Sequence, residues 1–299
     1  MDSFLGMPLL PLDAWIQDGV NVFVQHYRGL FQLLRLPVEQ FLEWINQSLR
    51  AVPPALMIAV LGILGYVRRG TAFAAFCVVS AVLMGWLGFW AESMTSIGIV
   101  ATSVAFAALL GVPIGILLAE HDGLWRLARP LLDVMQTTPS FVYLVPVVML
   151  FGIGSVPGVI ATIVFAIPPL VKLTYLGIKQ VSPESIEAGE AFGASRAQLL
   201  FQVKLPLALD AIRAGINQTI MLAMVMSSVA AMIGAEGLGL VVLRGISRLD
   251  VGMAATGGLC LVLLALMLDG LTQGAEGERP ARIFPSFPFR LRRTKTATA

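Results

Sequence analysis

The residues best placed to act on another molecule lie between Glu187 and Pro206, EAGEAFGASRAQLLFQVKLP, a polar stretch between two apolar segments long enough to cross a bilayer. Its chemistry is docking rather than bond-making. Ser182, Pro183, Glu184 and Glu187 make a helix start: a hydroxyl cap, a proline at the first helical position, and acids where the helix dipole favours them. Ala188, Gly189 and Ala191 keep one face small, and Gly193 permits a turn that a residue with a Cβ resists. Ser195 can cap a second short helix, from about 196 to 204, that stops ahead of Leu205 and Pro206. Two short helices at an angle make a rigid knob for a groove on a partner, with Phe192, Leu199, Leu200 and Phe201 as apolar anchors. The alternative is an amphipathic connector lying on the membrane surface.

Polar groups at membrane depth are costly unless they face protein or water, so they mark a second set of candidates. Asn217, Gln218 and Thr219 sit early in one apolar stretch and Ser227 and Ser228 follow two to three turns later. With Met221 and Met224 they would offer a solute a polar and soft apolar face, or they bond helix to helix. Gln136, Thr137, Thr138 and Ser140, around Pro139, would cap a helix or line an exit from the path. Gly234, Glu236, Gly237 and Gly239 read as an outer gate or re-entrant turn, against a plain loop. No catalytic set is expected. Cys77 and Cys260 lie in apolar segments without a His or second Cys at ligand spacing, so inert thiols are expected and no metal site.

These groups must be positioned by membrane helices. The chain is 57% hydrophobic and 13% charged, with a mean hydropathy of +0.85, against roughly 25% charged in soluble domains. The net charge of +2, spread along the chain, is too small to suggest a nucleic-acid partner. Apolar stretches at 51–67, 71–90, 97–119, 141–154, 158–178, 211–233 and 251–271 predict seven spans, with a hairpin turn at Gly154, Ser155 and Pro157. Alternating sides gathers Arg68, Arg69, Arg126, Arg129, Lys172, Lys179, Arg196, Lys204 and Arg213 with the basic tail on one face. The other face carries Arg28, Arg35, Arg50, Arg244 and Arg248, which puts the N-terminus outside and the C-terminus in the cytoplasm. Asp2, Asp13 and Asp18 precede or flank a start without Lys or Arg before Arg28, unlike a signal peptide, so the start is expected to be retained. Residues 28–49 read as an interfacial amphipathic segment around Pro37, and 274–299 as a disordered or lipid-associated cytoplasmic tail.

The spacing of Glu187, Ala188, Gly189, Gly193, Val203, Leu205 and Pro206 resembles the signature loop of permease subunits in binding-protein-dependent ABC importers. One departure is Gly189, where that family usually has a second Ala. The stretches QTTPSFVYLVPVVMLFGIG, AGINQTIMLAMVMSSVAAMIGAEGLG and VLRGISRLDVGMA look like the permeases of the glycine betaine, proline betaine and choline importers. The resemblance covers about 90–273 and implies an all-α membrane protein with a five-helix type I importer core at 91–273. The segment 1–50 and two accessory spans at 51–90 would precede that core. It further implies a coupling loop at 182–206, two permease copies, two cytoplasmic ATPase subunits and an outer substrate-binding protein. The sequence has no G-x-x-x-x-G-K-[ST] phosphate loop, so ATP and Mg would be bound by the partner ATPase, with no cofactor in this chain. No aromatic cage for a quaternary ammonium is evident within a span, so selectivity is expected in the binding protein. The competing expectation is an ion-coupled secondary transporter of small amines, which would normally bury ionisable groups near the midplane. Here Glu92, Glu120, Glu236, Asp250 and Asp269 fall near span ends.

Overall fold

The computed structural model describes residues 12–273. The basic tail and the first eleven residues lie outside them. The described residues form helices α1 (Leu12–Ala51), α2 (Pro54–Arg69), α3 (Thr71–Trp86), α4 (Trp90–Glu120), α5 (Asp122–Thr137), α6 (Leu144–Phe151), α7 (Ser155–Lys179), α8 (Pro183–Ala191), α9 (Arg196–Gln198), α10 (Leu205–Val229), α11 (Leu238–Ser247) and α12 (Val251–Thr272). Short 3-10 turns occupy Ser140–Tyr143 and Ala230–Ile233, and a π turn occupies Leu199–Lys204.

The centre is α7, packed between α4 and α10. Lipid supplies no hydrophobic drive between membrane helices, so close van der Waals contact has to hold them, and small residues make it possible. Gly111 and Gly115 of α4 receive Leu170 and Thr174 of α7, and a Cβ on Gly115 would stand 2.6 Å from that of Thr174. Gly177 meets α10 in the same way, with Ala211 Cβ 2.6 Å from where its own would be. A second cluster, containing Cys77, Met84, Met94, Met224, Cys260, Leu264 and Met267, joins α2, α3 and α12 to this centre. Both thiols are fully buried there.

The seven expected spans are not all of full length. Four helical stretches among the described residues are long and apolar enough to cross a membrane, or six if two bent pairs each count as one span. Helices α2 and α3 have 16 residues each, about 24 Å of helix against a hydrocarbon core of about 30 Å. The turn between α6 and α7 is where the glycines predict it, with φ of +84° at Gly152 and +123° at Gly154. However, α6 is only 8 residues long and bends 111° from α5, so 141–154 is not a span by itself. Hydropathy registers apolar length and cannot register such a bend.

Residues 28–49 belong to α1, which continues through Pro37 and turns by 103° into α2. Val38 and Leu42 are buried against α4 and α7, beside Ile99, Val156 and Val159. Leu33, Leu34 and Trp44 remain exposed on another side, and Gln40, Glu43 and Gln47 on a third. A helix with one face on protein, one apolar and one polar suits a membrane–water boundary.

Candidate coupling site and translocation surface

Helix α8 ends as its sequence requires. Gly193 takes φ +79°, its N–H donates to Glu190 O at 2.8 Å, and Ala194 N–H donates to Gly189 O at 3.1 Å. This paired closure satisfies the last carbonyls, and its left-handed residue favours glycine. The next turn is fixed by a reciprocal cap: Gln198 N–H donates to Ser195 Oγ at 3.3 Å, and Ser195 N–H donates to Gln198 Oε1 at 2.8 Å. At the start of α8, Ser182 Oγ pairs with Ser185 Oγ at 2.9 Å and caps no backbone amide, unlike the expectation. Glu187, Ala188 and Ala191 are exposed, and Gly189 faces Leu199, whose Cδ2 would stand 2.6 Å from an added Cβ. Leu199 is therefore no anchor for a partner: it is 6% exposed and holds the two helices together. Phe192 and Phe201 are 94% and 65% exposed.

The second helix does not stop ahead of Pro206. The chain from Arg196 to Ile233 runs as one helical stretch of 38 residues. Pro206 lacks the N–H that an α-helix would use, and the π turn before it, where Leu205 N–H reaches back to Leu200 O, absorbs the mismatch. The knob is thus continuous with α10. Lys204 of the π turn, with Lys179 and Lys172 of α7, reaches α4 and α5. Lys204 Nζ lies 2.7 Å from Glu120, Lys179 Nζ 2.8 Å from Asp122, and Lys172 Nζ 2.5 Å from Asp133. The first pair is well sheltered, with side chains 22% and 29% exposed.

The polar residues of α10 point in different directions. Gln218 is exposed, in line with Met221 and Val225. Asn217 Oδ1 accepts from Thr272 of α12 at 2.6 Å. Thr219 is fully buried and donates to Gly215 O at 2.8 Å, with Ala166 O of α7 at 3.3 Å. Ser227 and Ser228 both donate to Met224 O, at 2.9 and 3.2 Å. Residues 136–140 form the bend between α5 and α6. Gln136 accepts from Lys172, and Thr137 and Thr138 donate to Val134 O at 3.1 and 2.8 Å, closing the end of α5. Ser140 begins the 3-10 turn, where it is half-buried.

At the far end of α10 the glycine-rich turn is braced from several helices. Gly234 and Gly237 have φ of +82° and +108°. Gly154 N–H donates to Ile233 O at 2.8 Å, Glu236 N–H to Ser155 Oγ at 3.1 Å, and Leu238 N–H to Ser96 Oγ at 2.8 Å. Gly239 lets α11 lie against the backbone of Ser228. Beside the turn opens a cavity of about 220 Å³ lined by Arg50, Glu92, Thr95, Glu236 and Arg244, among others. Arg50 donates to Thr95 Oγ1 at 3.1 Å and lies 4.0 Å from Glu236. Sequence reasoning missed Arg50, Glu92, Ser96, Ser155 and Arg244 as members of one cluster, because four distant segments meet there and no local spacing announces it.

Residues 111–275 match the family model described as "Binding-protein-dependent transport system inner membrane component". The chain belongs to this family. Among curated relatives, the permease is 47% identical over 274 residues to the glycine betaine/proline betaine transport system permease protein ProW of Escherichia coli (strain K12). That alignment covers 92% of this chain and 77% of ProW. It is 39% identical over 276 residues to the glycine betaine transport system permease protein OpuAB of Bacillus subtilis (strain 168), covering 92% and 98%. It is 41% identical over 271 residues to the glycine betaine/carnitine transport permease protein GbuB of Listeria monocytogenes serotype 1/2a (strain 10403S), covering 89% and 96%. Its fold matches the inward-facing MetNI methionine ABC transporter with a TM-score of 0.53 at 23% identity, covering 64% of this chain and 93% of that one. The permease is therefore an all-α, inner-membrane subunit of an ABC importer with the type I fold, as the resemblance implied. The ion-coupled carrier finds no support.

Proposed function

We propose that this permease carries compatible solutes such as glycine betaine, choline or a related quaternary or methylated amine into the cell. The supporting observation for the solute class is the 47% identity to ProW over 274 residues. Two copies form the pathway, as a homodimer within the lipid bilayer, and two cytoplasmic ATPase subunits bind ATP and Mg. An outer substrate-binding protein delivers the solute and sets most of the selectivity. This chain hydrolyses nothing.

In this reading the N-terminus is outside and the C-terminus cytoplasmic in a bacterial inner membrane, the arrangement that the positive-inside rule favours. Residues 1–50 form an outer interfacial segment, 51–90 an accessory helical pair, 91–273 the core and 274–299 a basic inner tail. Glu187, Ala188, Gly189, Ala191, Gly193, Leu205 and Pro206 belong to the ATPase-coupling knob, with Phe192 and Phe201 presented to the ATPase. When ATP closes the ATPases the paired knobs approach and the cores open outward; hydrolysis resets them. Gln218 is the exposed one among the candidates on α10. Gln136, Thr137, Thr138, Ser140, Asn217, Thr219, Ser227 and Ser228 shape that path, and Gly234, Glu236, Gly237 and Gly239 form its outer gate.

The test is uptake of radiolabelled glycine betaine into vesicles holding the permease, with and without its ATPase and ATP, in the presence of the binding protein. Uptake only with ATPase and ATP is expected. Uptake driven by an ion gradient in this chain alone would overturn the reading.

A further inference from the structure

The cavity beside the glycine-rich turn holds charges that the coupling mechanism does not use. Helix α10 has 25 residues between the coupling knob and this turn, about 37 Å of rise, so the cavity lies on the opposite side of the protein. Glu92 Oε2 is buried without a hydrogen-bond donor. A carboxylate oxygen withdrawn from water with no donor is unfavourable, and the field of a cation held in the adjoining cavity, which Glu92 lines, would offset that cost. Arg244 lines the same cavity and is exposed, its side chain making no ion pair or hydrogen bond among the described residues. The remaining charges are loosely engaged: Arg50 is held by Thr95, and its 4.0 Å separation from Glu236 exceeds a charge-assisted hydrogen bond.

One uncommitted anion and one uncommitted cation therefore face the same space, with a loose pair completing a balance of two arginines and two glutamates. A simple anion would be opposed by Glu92 and Glu236, and a simple cation by Arg50 and Arg244. A neutral molecule with separated charges satisfies both. The volume of about 220 Å³ lies below the roughly 300–1,000 Å³ of drug-sized sites, which restricts the ligand to a small one.

We propose that this cavity is a low-affinity receiving site for a small zwitterion, its carboxylate on Arg244 and its cationic end on Glu92. The zwitterion chemistry follows from the cavity itself; that the ligand is the transported solute rests on the functional reading above. The site holds solute at the mouth of the path after the binding protein releases it.

The experiment measures binding to the permease with its ATPases in lipid nanodiscs, without binding protein, by scintillation proximity with labelled glycine betaine. The competitors are choline, which lacks the carboxylate, and 3,3-dimethylbutyrate, which keeps the shape and loses the cation. Saturable glycine betaine binding is expected, with both competitors weaker by about tenfold or more, the loss of a charge-assisted contact. Glu92→Gln and Arg244→Gln should each weaken it to a similar extent. Arg244 is exposed and unpaired, so its variant assembles normally and decides the matter if Glu92→Gln does not. Absence of saturable binding, equal binding of choline, or unchanged affinity in Arg244→Gln overturns the site. Absence of binding in a complex that imports glycine betaine removes the site alone. A complex that binds the zwitterion here without importing it removes the functional reading and keeps the site.

Discussion

Breaking the Lys204–Glu120 pair tests whether the coupling knob drives the rest of the core through α4. The nitrogen and oxygen are 2.7 Å apart, with side chains 22% and 29% exposed, so the pair lies between a solvated surface bridge and a buried one. Surface pairs contribute about 0–1 kcal/mol and losing one partner of a buried pair costs about 3–5 kcal/mol, which brackets this pair at about 1–3 kcal/mol. In an equilibrium between two arrangements of the core that is about a 5-fold to 150-fold shift. Lys204→Met, Glu120→Gln and the double variant should be reconstituted with the ATPases and binding protein, and solute moved per ATP hydrolysed measured in each. Each single variant should keep its ATPase activity and lose solute per ATP. The double should be no worse than the worse single, and the exchange of Lys204→Glu with Glu120→Lys should restore most of the loss. Independent losses that simply multiply in the double variant would refute the reasoning, as would normal stoichiometry in both singles.

The remaining predictions concern the knob and the crossing that supports it. Gly193→Val forces a β-branched residue to φ +79°, a strain of about 1–3 kcal/mol, and should uncouple ATPase activity from uptake while membrane insertion persists. Gly189→Ala should be milder, because its Cβ meets the flexible end of Leu199; comparing the uptake of the two variants checks the order. Phe192→Ala and Phe201→Ala remove exposed rings and should weaken capture of the ATPase by about tenfold or more, measured by pull-down, without lowering the permease's own thermal stability. Gly115→Leu drives a side chain into Thr174 and should lower the unfolding temperature of the detergent-solubilised permease, whereas leucine at the open Gly123 should not.

The knob was legible where its physics is local. Gly193 and the Ser195 cap need only their neighbours, and the structure has both as the sequence implies, with Gln198 returning the bond as a partner the sequence reading did not name. Pro206 was misread because a proline normally ends a helix; the π turn that accommodates it is a compromise between the knob and the packing of α10, which local propensity does not contain. The directions of Thr219, Ser227 and Ser228 were ambiguous for a related reason. Spacing assigns a residue to a helix face, but what that face meets depends on neighbours from α7 and beyond. Gly111 and Gly115 were visible as a pair, while the partner they receive was not. The charged cavity was the least legible feature, since Arg50, Glu92, Glu236 and Arg244 come from α1, α4, the glycine-rich turn and α11.

The unbroken stretch from Arg196 to Ile233 makes the knob and the glycine-rich turn two ends of one lever. Its 38 residues measure about 57 Å at the helical rise. The glycine contact of Gly215 against Leu170 lies near its midpoint, where a tilting rod would pivot. The arms on either side are about 28 Å each, so a tilt of about 5° moves the knob by about 2.4 Å and returns a displacement of the same size and opposite sense at the far end. A two-part helix that ended at Pro206 would lose most of that motion at the joint. A π turn that keeps the rod whole passes it on at a ratio near one.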